Sequence, residues 1–233
     1  MEPTQAIIAD TSKSGGALDL MITGGPVVWL LIVLSIIALT IIIYKLIQFV
    51  LLGIGKTEHI ERAIQLYRDG NKTEALAAVQ GAKDPTSIAV ATAIRGNMRP
   101  DASDEIVREE VERVASLGIY GLKSQISILD LIGSLSPLLG LLGTVMGMIQ
   151  AFRAMEAAGR NVDPAILSGG IWAALLTTAA GLIVAIPVVA VSSWFERAIQ
   201  HTAHRTEDAV TRIFTPDLTH RNENISNEIR AAK

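Results

Sequence analysis

Two apolar stretches of this 233-residue chain each place a hydroxyl at the centre of a stripe of small residues. In the first, Gly133, Pro137, Gly140, Thr144, Gly147 and Ala151 recur at steps of four and three. In the second, Gly170, Ala174, Thr178, Gly181 and Ala185 do the same, with Thr177 beside Thr178. That period draws one narrow face on a helix. Small faces let membrane helices approach closely, because packing rather than hydrophobicity drives association in lipid. Gly140, Gly143, Gly147 and Gly181 are therefore expected to serve helix packing. The chemistry open to Thr144, Thr178 and Thr177 is that of hydroxyls, which can relay hydrogen bonds along a polar path but carry no charge. The plainer reading of each threonine is a bond to a carbonyl of its own helix. Two hydroxyls at matched depth on matched small faces favour the path.

Other chemistries find no residues to carry them. The chain has no phosphate-binding glycine loop, no nucleophile motif and no metal-ligand spacing, so no catalytic residue, metal or cofactor is assigned and an enzyme is not expected. His201 and His204 stand three apart on a polar helix and read as solvated rather than metal-binding. Cysteine is absent, which excludes disulfides and thiol chemistry. A net charge of −3 gives no nucleic-acid signal.

The elements that must position the threonines are set by composition. Half of the residues are hydrophobic and only 18% are charged, against about 25% charged in average globular usage; mean hydropathy is +0.41. The apolar excess collects in three tracts, residues 26–52, 126–152 and 169–195, each reaching the 20 or so apolar residues that a bilayer crossing needs. The expected fold class is all-α: a three-span membrane protein whose long helices extend into a cytoplasmic helical domain. The first tract lacks the short apolar region of a secretory signal and reads as an uncleaved span.

Lysine and arginine orient the spans. Lys13 alone precedes the first tract, ten basic residues lie in 53–125, Arg153 and Arg160 lie in 153–168, and six lie in 196–233. Positive charge favours the cytoplasmic side. Residues 1–25 are thus expected to form an outer, periplasmic segment and 153–168 a periplasmic link. Residues 53–125 form a cytoplasmic helical domain and 196–233 a cytoplasmic helical tail. Trp29 fits the outer interface and Tyr44 the inner one, with Lys45 snorkelling to the headgroups.

Between the first two spans, Gly70-Asn71, Asp84-Pro85 and Arg99-Pro100 mark breaks between short helices. Asp101 or Ser103 can cap the next helix, with Asp104 and Glu105 in its first turn. No proline follows until Pro137, so one continuous helix is predicted from about 103 to 152, some 75 Å long. The third span continues through a polar helix to about Thr215, and the polar tail after it is expected to fray.

Thr144 lies eight residues before Phe152, and Thr178 nine after Gly169. On antiparallel helices both hydroxyls then sit about 12–14 Å below the outer surface, level with each other. Near the middle of these two spans there is no titratable side chain; Asp130 lies near the inner end of the second. If a proton crosses here, another polypeptide must supply the intramembrane acid. The simplest arrangement is a partner helix inside a ring of these subunits.

At these residues the chain resembles the ExbB/TolQ/MotA proton-channel family. The motifs are Pro137-Leu-Leu-Gly-Leu-Leu-Gly-Thr144-Val-Met-Gly147 and Leu175-Leu-Thr-Thr178-Ala-Ala-Gly-Leu-Ile-Val-Ala-Ile-Pro187. Three spans rather than four are similar to the ExbB/TolQ branch. The resemblance implies a homopentamer in the bacterial inner membrane, with Thr144 and Thr178 as pore threonines. It also implies a dimeric single-span partner of the ExbD/TolR type whose aspartate sits in the pore, and proton flow that powers a component acting across the periplasm. One position departs: Ala173 stands where the family pattern leads us to expect a glutamate. Either the partner's aspartate suffices or the chain conducts poorly, and the substitution is natural or engineered. The second function class is accordingly a non-conducting membrane scaffold that anchors a single-span partner.

Overall fold

The computed structural model describes residues 25–158 and 164–215, without the side chains of residues 164 and 166. The expected outer segment before residue 25, the middle of the 153–168 link and the tail after Thr215 lie outside the described residues. Every regular element described is helical: α1 (Gly25–Leu52), α2 (Glu58–Arg68), α3 (Lys72–Val79), α4 (Pro85–Gly96), α5 (Asp104–Lys123), α6 (Ile126–Ala158) and α7 (Pro164–Phe214). Three helical stretches are long and apolar enough to cross a membrane. The protein is thus an all-α, three-span membrane protein.

Local chemistry sets most boundaries. Asp84 caps α4, accepting from Ser87 N at 2.9 Å, with Pro85 in the first turn where its missing N–H costs nothing. Ser103 caps α5, with Asp104 and Glu105 in the first turn. Gly70, at φ 87°, lets the chain leave α2 in a left-handed turn that a side chain would strain.

The predicted continuous helix from 103 to 152 is not formed. It breaks at Ser124-Gln125, where Ser124 turns extended and Gln125 takes φ 66°. No glycine or proline marks this site, and a non-glycine residue there carries roughly 1–2 kcal/mol of backbone strain. Tertiary contacts hold the break. Lys45, expected at the headgroups, is instead fully buried, its Nζ donating to Gln48 Oε1 at 2.9 Å and to Leu122 O at 3.0 Å. Leu122 lies in the last turn of α5, where carbonyls have no partner within the helix. An ammonium suits that end of the helix dipole as well as the orphan oxygen.

The chain divides into two compact units. One comprises α1 up to Ile43, α6 and α7 up to Ser193. Its outward faces are apolar, with Ile183 and Trp172 72% and 66% exposed, as suits helices in lipid or in an assembly. The other comprises residues 44–124 together with α7 from Trp194 onward. Its core joins Ile60 and Ile64 of α2, Ala75 of α3, Val90 and Ile94 of α4, Val107 and Val111 of α5, and Ala209 and Ile213 of α7. Polar pairs tie the same unit together: Thr86 to Thr206 at 2.8 Å, and Arg212 to Glu61 at 2.9 Å. The Glu61 carboxylate holds the Arg212 guanidinium above its ordinary pKa. Phe195, fully buried, stacks its ring 5.2 Å from Phe49 and 5.1 Å from Trp194.

Candidate functional site

Helices α6 and α7 pack antiparallel in the first unit, and glycines let their backbones touch. A Cβ on Gly140 would stand 3.0 Å from Thr178 Cα and 3.1 Å from Thr177 O. A Cβ on Gly181 would stand 2.5 Å from Ser136 O and 3.2 Å from Gly140 Cα. The obstacles are backbone atoms, which cannot swing aside as a side chain can. The register continues outward: Gly143 faces Thr177, Gly147 faces Ala174, and Gly170 meets Ala151. In the other direction Gly133 faces Val189.

This contact surface carries the hydroxyls. Thr178 Oγ1 donates across the helix pair to Gly140 O at 3.2 Å. Thr177, buried, donates to Ala174 O of its own helix at 2.7 Å, with Gly140 O at 3.5 Å. Thr144, one turn beyond Gly140, donates to Leu141 O at 2.7 Å. The Gly140 carbonyl is therefore the point on which the two α7 hydroxyls converge. Thr144 stays half-buried nearby and bonded to its own helix, whereas Ser136, fully buried, donates to Ile132 O at 2.7 Å.

The convergence of two hydroxyls on Gly140 O was not legible in the stripe, because Gly140 looked like a spacer. What could have pointed to it is its position: a carbonyl left bare by two missing side chains, Gly140 and Gly143, is open to a donor from a neighbouring helix. Ser136 likewise escaped notice, since its part is played by the carbonyl that faces Gly181.

Ala173, half-buried, lines a cavity of about 50 Å³ with Gly143, Gly147, Gln150 and Thr177. A polar cavity that size admits a water molecule, and among the described residues no carboxyl lines it. Among the described residues no group of three His, Asp or Glu side chains gathers as metal ligands would.

Fold and site together define a class: a multi-pass helical membrane protein in which two spans meet backbone to backbone with hydroxyls at the contact. Residues 81–208, more than half of the chain, match the MotA/TolQ/ExbB proton channel family, and the chain belongs to it. It is similar to the biopolymer transport protein exbB1 of Vibrio cholerae, 44% identical over 85 residues that make up 35% of this chain and 37% of that protein. A putative biopolymer transport protein ExbB homolog of Methanothermobacter thermautotrophicus is 28% identical over 194 residues, 83% of this chain and 67% of the relative. The Tol-Pal system protein TolQ of Haemophilus influenzae is 35% identical over 96 residues, 40% of this chain and 41% of that protein. The match to exbB1 and TolQ thus spans well under half the length of either. The relatives put the chain in the ExbB/TolQ-like branch of a family of proton channels.

Proposed function

We propose that this chain is a proton-channel subunit of an inner-membrane energy-transducing complex that couples proton flow to work on a periplasmic or outer-membrane component. Thr144, Thr178 and Thr177 line the proton path, and Gly140, Gly143, Gly147 and Gly181 hold the two helices close enough to fix them. The observation that carries this reading is the Thr178 bond to Gly140 O beside Thr177, at a backbone contact inside two membrane spans. An interhelical threonine bond contributes only about 0.6 kcal/mol to packing, so two adjacent hydroxyls at the tightest contact are more than helix association needs.

Threonine hydroxyls can pass hydrogen bonds but hold no proton charge, so a partner brings the acid. The family branch supports a single-span ExbD/TolR-like protein, dimeric, with its aspartate beside the threonines, inside a homopentamer of this chain. The basic residues support an N-terminus in the periplasm and a C-terminus in the cytoplasm. Residues 26–52, 126–152 and 169–195 are the spans, with 53–125 and 196–233 on the cytoplasmic side. A second reading, a non-conducting scaffold that anchors the same partner, draws on Ala173 and the cavity beside it, which no carboxyl lines among the described residues.

Proton flux into liposomes decides between them. The chain is reconstituted with the single-span protein encoded beside it, and flux is followed with a pH-sensitive dye. Flux above empty vesicles is expected, falling at least tenfold in Thr178→Val, which keeps the shape and removes the hydroxyl, and being retained in Thr178→Ser. Flux no higher than that of empty vesicles sinks the channel reading in favour of the scaffold. Normal conduction in Thr144→Ala and Thr178→Val would overturn the residue assignment.

A further inference from the structure

The three apolar tracts contain only two charged residues, Lys45 and Asp130. Lys45 is engaged by Gln48 and Leu122. Asp130 is different: it sits in the second turn of α6, half-buried, and its Oδ1 accepts a hydrogen bond from Ser192 Oγ of α7, a residue only 2% exposed. No ion pair involves Asp130 among the described residues. A carboxyl inside a membrane span without a cation is costly to keep there, and such groups mark ion or proton routes more often than packing needs.

Its position is not arbitrary. Asp130 to Thr144 and Thr178 to Ser192 are equal steps along two antiparallel helices. Each step is close to four helical turns, about 21 Å. Asp130 therefore lies on the same face as Gly133, Pro137, Gly140 and Thr144, and Ser192 on the same face as Gly181, Ala185 and Thr178. The register that brings Thr178 to Gly140 thus also brings Ser192 to Asp130, at the opposite end of the pair.

We propose that Asp130, positioned by Ser192, is a second proton site of the path at its cytoplasmic end. This rests on the proposed channel function. A proton arriving from the threonine level, carried across the intervening 21 Å or so by water in the assembled path, is taken up by the Asp130 carboxylate and released to water on the inner side. The carboxylate is regenerated, so the cycle moves one proton and changes nothing else. Ser192 donates to the ionised carboxylate and holds its orientation; when the carboxyl is protonated, the hydroxyl can turn and accept. The other charged groups nearest in sequence are Lys123 on α5 and Glu196 and Arg197 on α7, the last two exposed and all three outside the spans. Within the three tracts Lys45 is the only other charge. No cation is therefore needed to explain the Asp130–Ser192 bond, and none is invoked.

Asp130→Asn tests this without dismantling the site, because the carboxamide oxygen still accepts from Ser192 while the side chain no longer titrates. In liposomes holding the chain and its single-span partner, Asp130→Asn is expected to reduce flux about tenfold or more, since a positioned acid or base contributes about 100-fold or more to proton transfer. Asp130→Glu is expected to restore most of it. Infrared difference spectra between acidic and alkaline inner buffer should show a carboxyl band in the wild type that Asp130→Asn lacks. Wild-type flux that Asp130→Asn leaves unchanged, in size and in dependence on inner pH, overturns the proposal and leaves Asp130 as a structural pin. A missing carboxyl band overturns it equally. Wild-type flux no greater than that of empty vesicles is the separate failure of the channel reading.

Discussion

Gly181→Ala is the sharpest probe of the helix pair, because the structure gives both the obstacle and its size. The added methyl carbon would stand 2.5 Å from Ser136 O, with Gly140 Cα at 3.2 Å and Gly140 N at 3.3 Å. An ordinary carbon–oxygen contact is about 3.3–3.6 Å, so the helices must separate locally by about 1 Å. Neither obstacle is a flexible side chain. Separation stretches the 3.2 Å bond from Thr178 to Gly140 O beyond hydrogen-bond range. Overpacking costs roughly 1–3 kcal/mol, and a lost interhelical bond in a membrane about 0.6 kcal/mol. Alanine returns about 1 kcal/mol through its better helix propensity. The net loss is about 1–2 kcal/mol. Reversible unfolding in mixed detergent micelles measures it, and Gly169→Ala supplies the control on the same helix. Nothing lies within 4 Å of a Cβ at Gly169, so that variant should be neutral or more stable by up to about 1 kcal/mol. Equal stability of the two variants would refute the claim that glycine sets the α6–α7 distance.

Lys45→Met keeps the apolar stem but leaves Leu122 O without its donor; amide exchange over residues 124–128 should quicken about tenfold, equivalent to roughly 1.4 kcal/mol, and unchanged protection would show that the ammonium does not hold the α5–α6 break. Gln125→Gly should raise stability by about 1 kcal/mol by relieving the left-handed backbone at φ 66°, and Gln125→Val should lower it by at least as much; thermal unfolding that ranks valine above glycine contradicts this. Phe195→Ala empties a fully buried site between Phe49 and Trp194 and should cost about 3–5 kcal/mol in chemical denaturation, whereas a loss below about 1 kcal/mol would mean that the aromatic cluster repacks freely.

Local signals were easy to read wherever a single residue type dictates a backbone shape. Asp84-Pro85 and Ser103 cap helices because a short polar side chain reaches the first free amides, and Gly70 ends α2 because only glycine enters the left-handed turn without cost. Three apolar tracts had to be helices, since a bilayer leaves backbone groups no other partner. The break at Ser124-Gln125 had no such signal. Gly121 and Ser124 weaken the helix there only modestly, and what the break gains is a bond from Lys45, far away in sequence, to the Leu122 carbonyl. The same contact explains why Lys45 is buried rather than extended into solvent: a carbonyl at a helix end competes with water for its ammonium. The periodic stripe likewise marked the faces of α6 and α7 but not their pairing.

By itself, then, the sequence determined that this is an all-α chain with three spans, a small-residue face on two of them and hydroxyls at matched positions on those faces. These follow from composition, period and caps, all of which act within a few residues. Only the tertiary structure decided that Thr178 and Thr177 meet Gly140 rather than Thr144, that Gly181 sits on the Ser136 carbonyl, and that Ser192 finds Asp130 at the far end of the same register. The reason is geometric. A helix fixes which residues share a face, but the sliding and distance of one helix on another are set by where backbones can touch, and that depends on both partners at once.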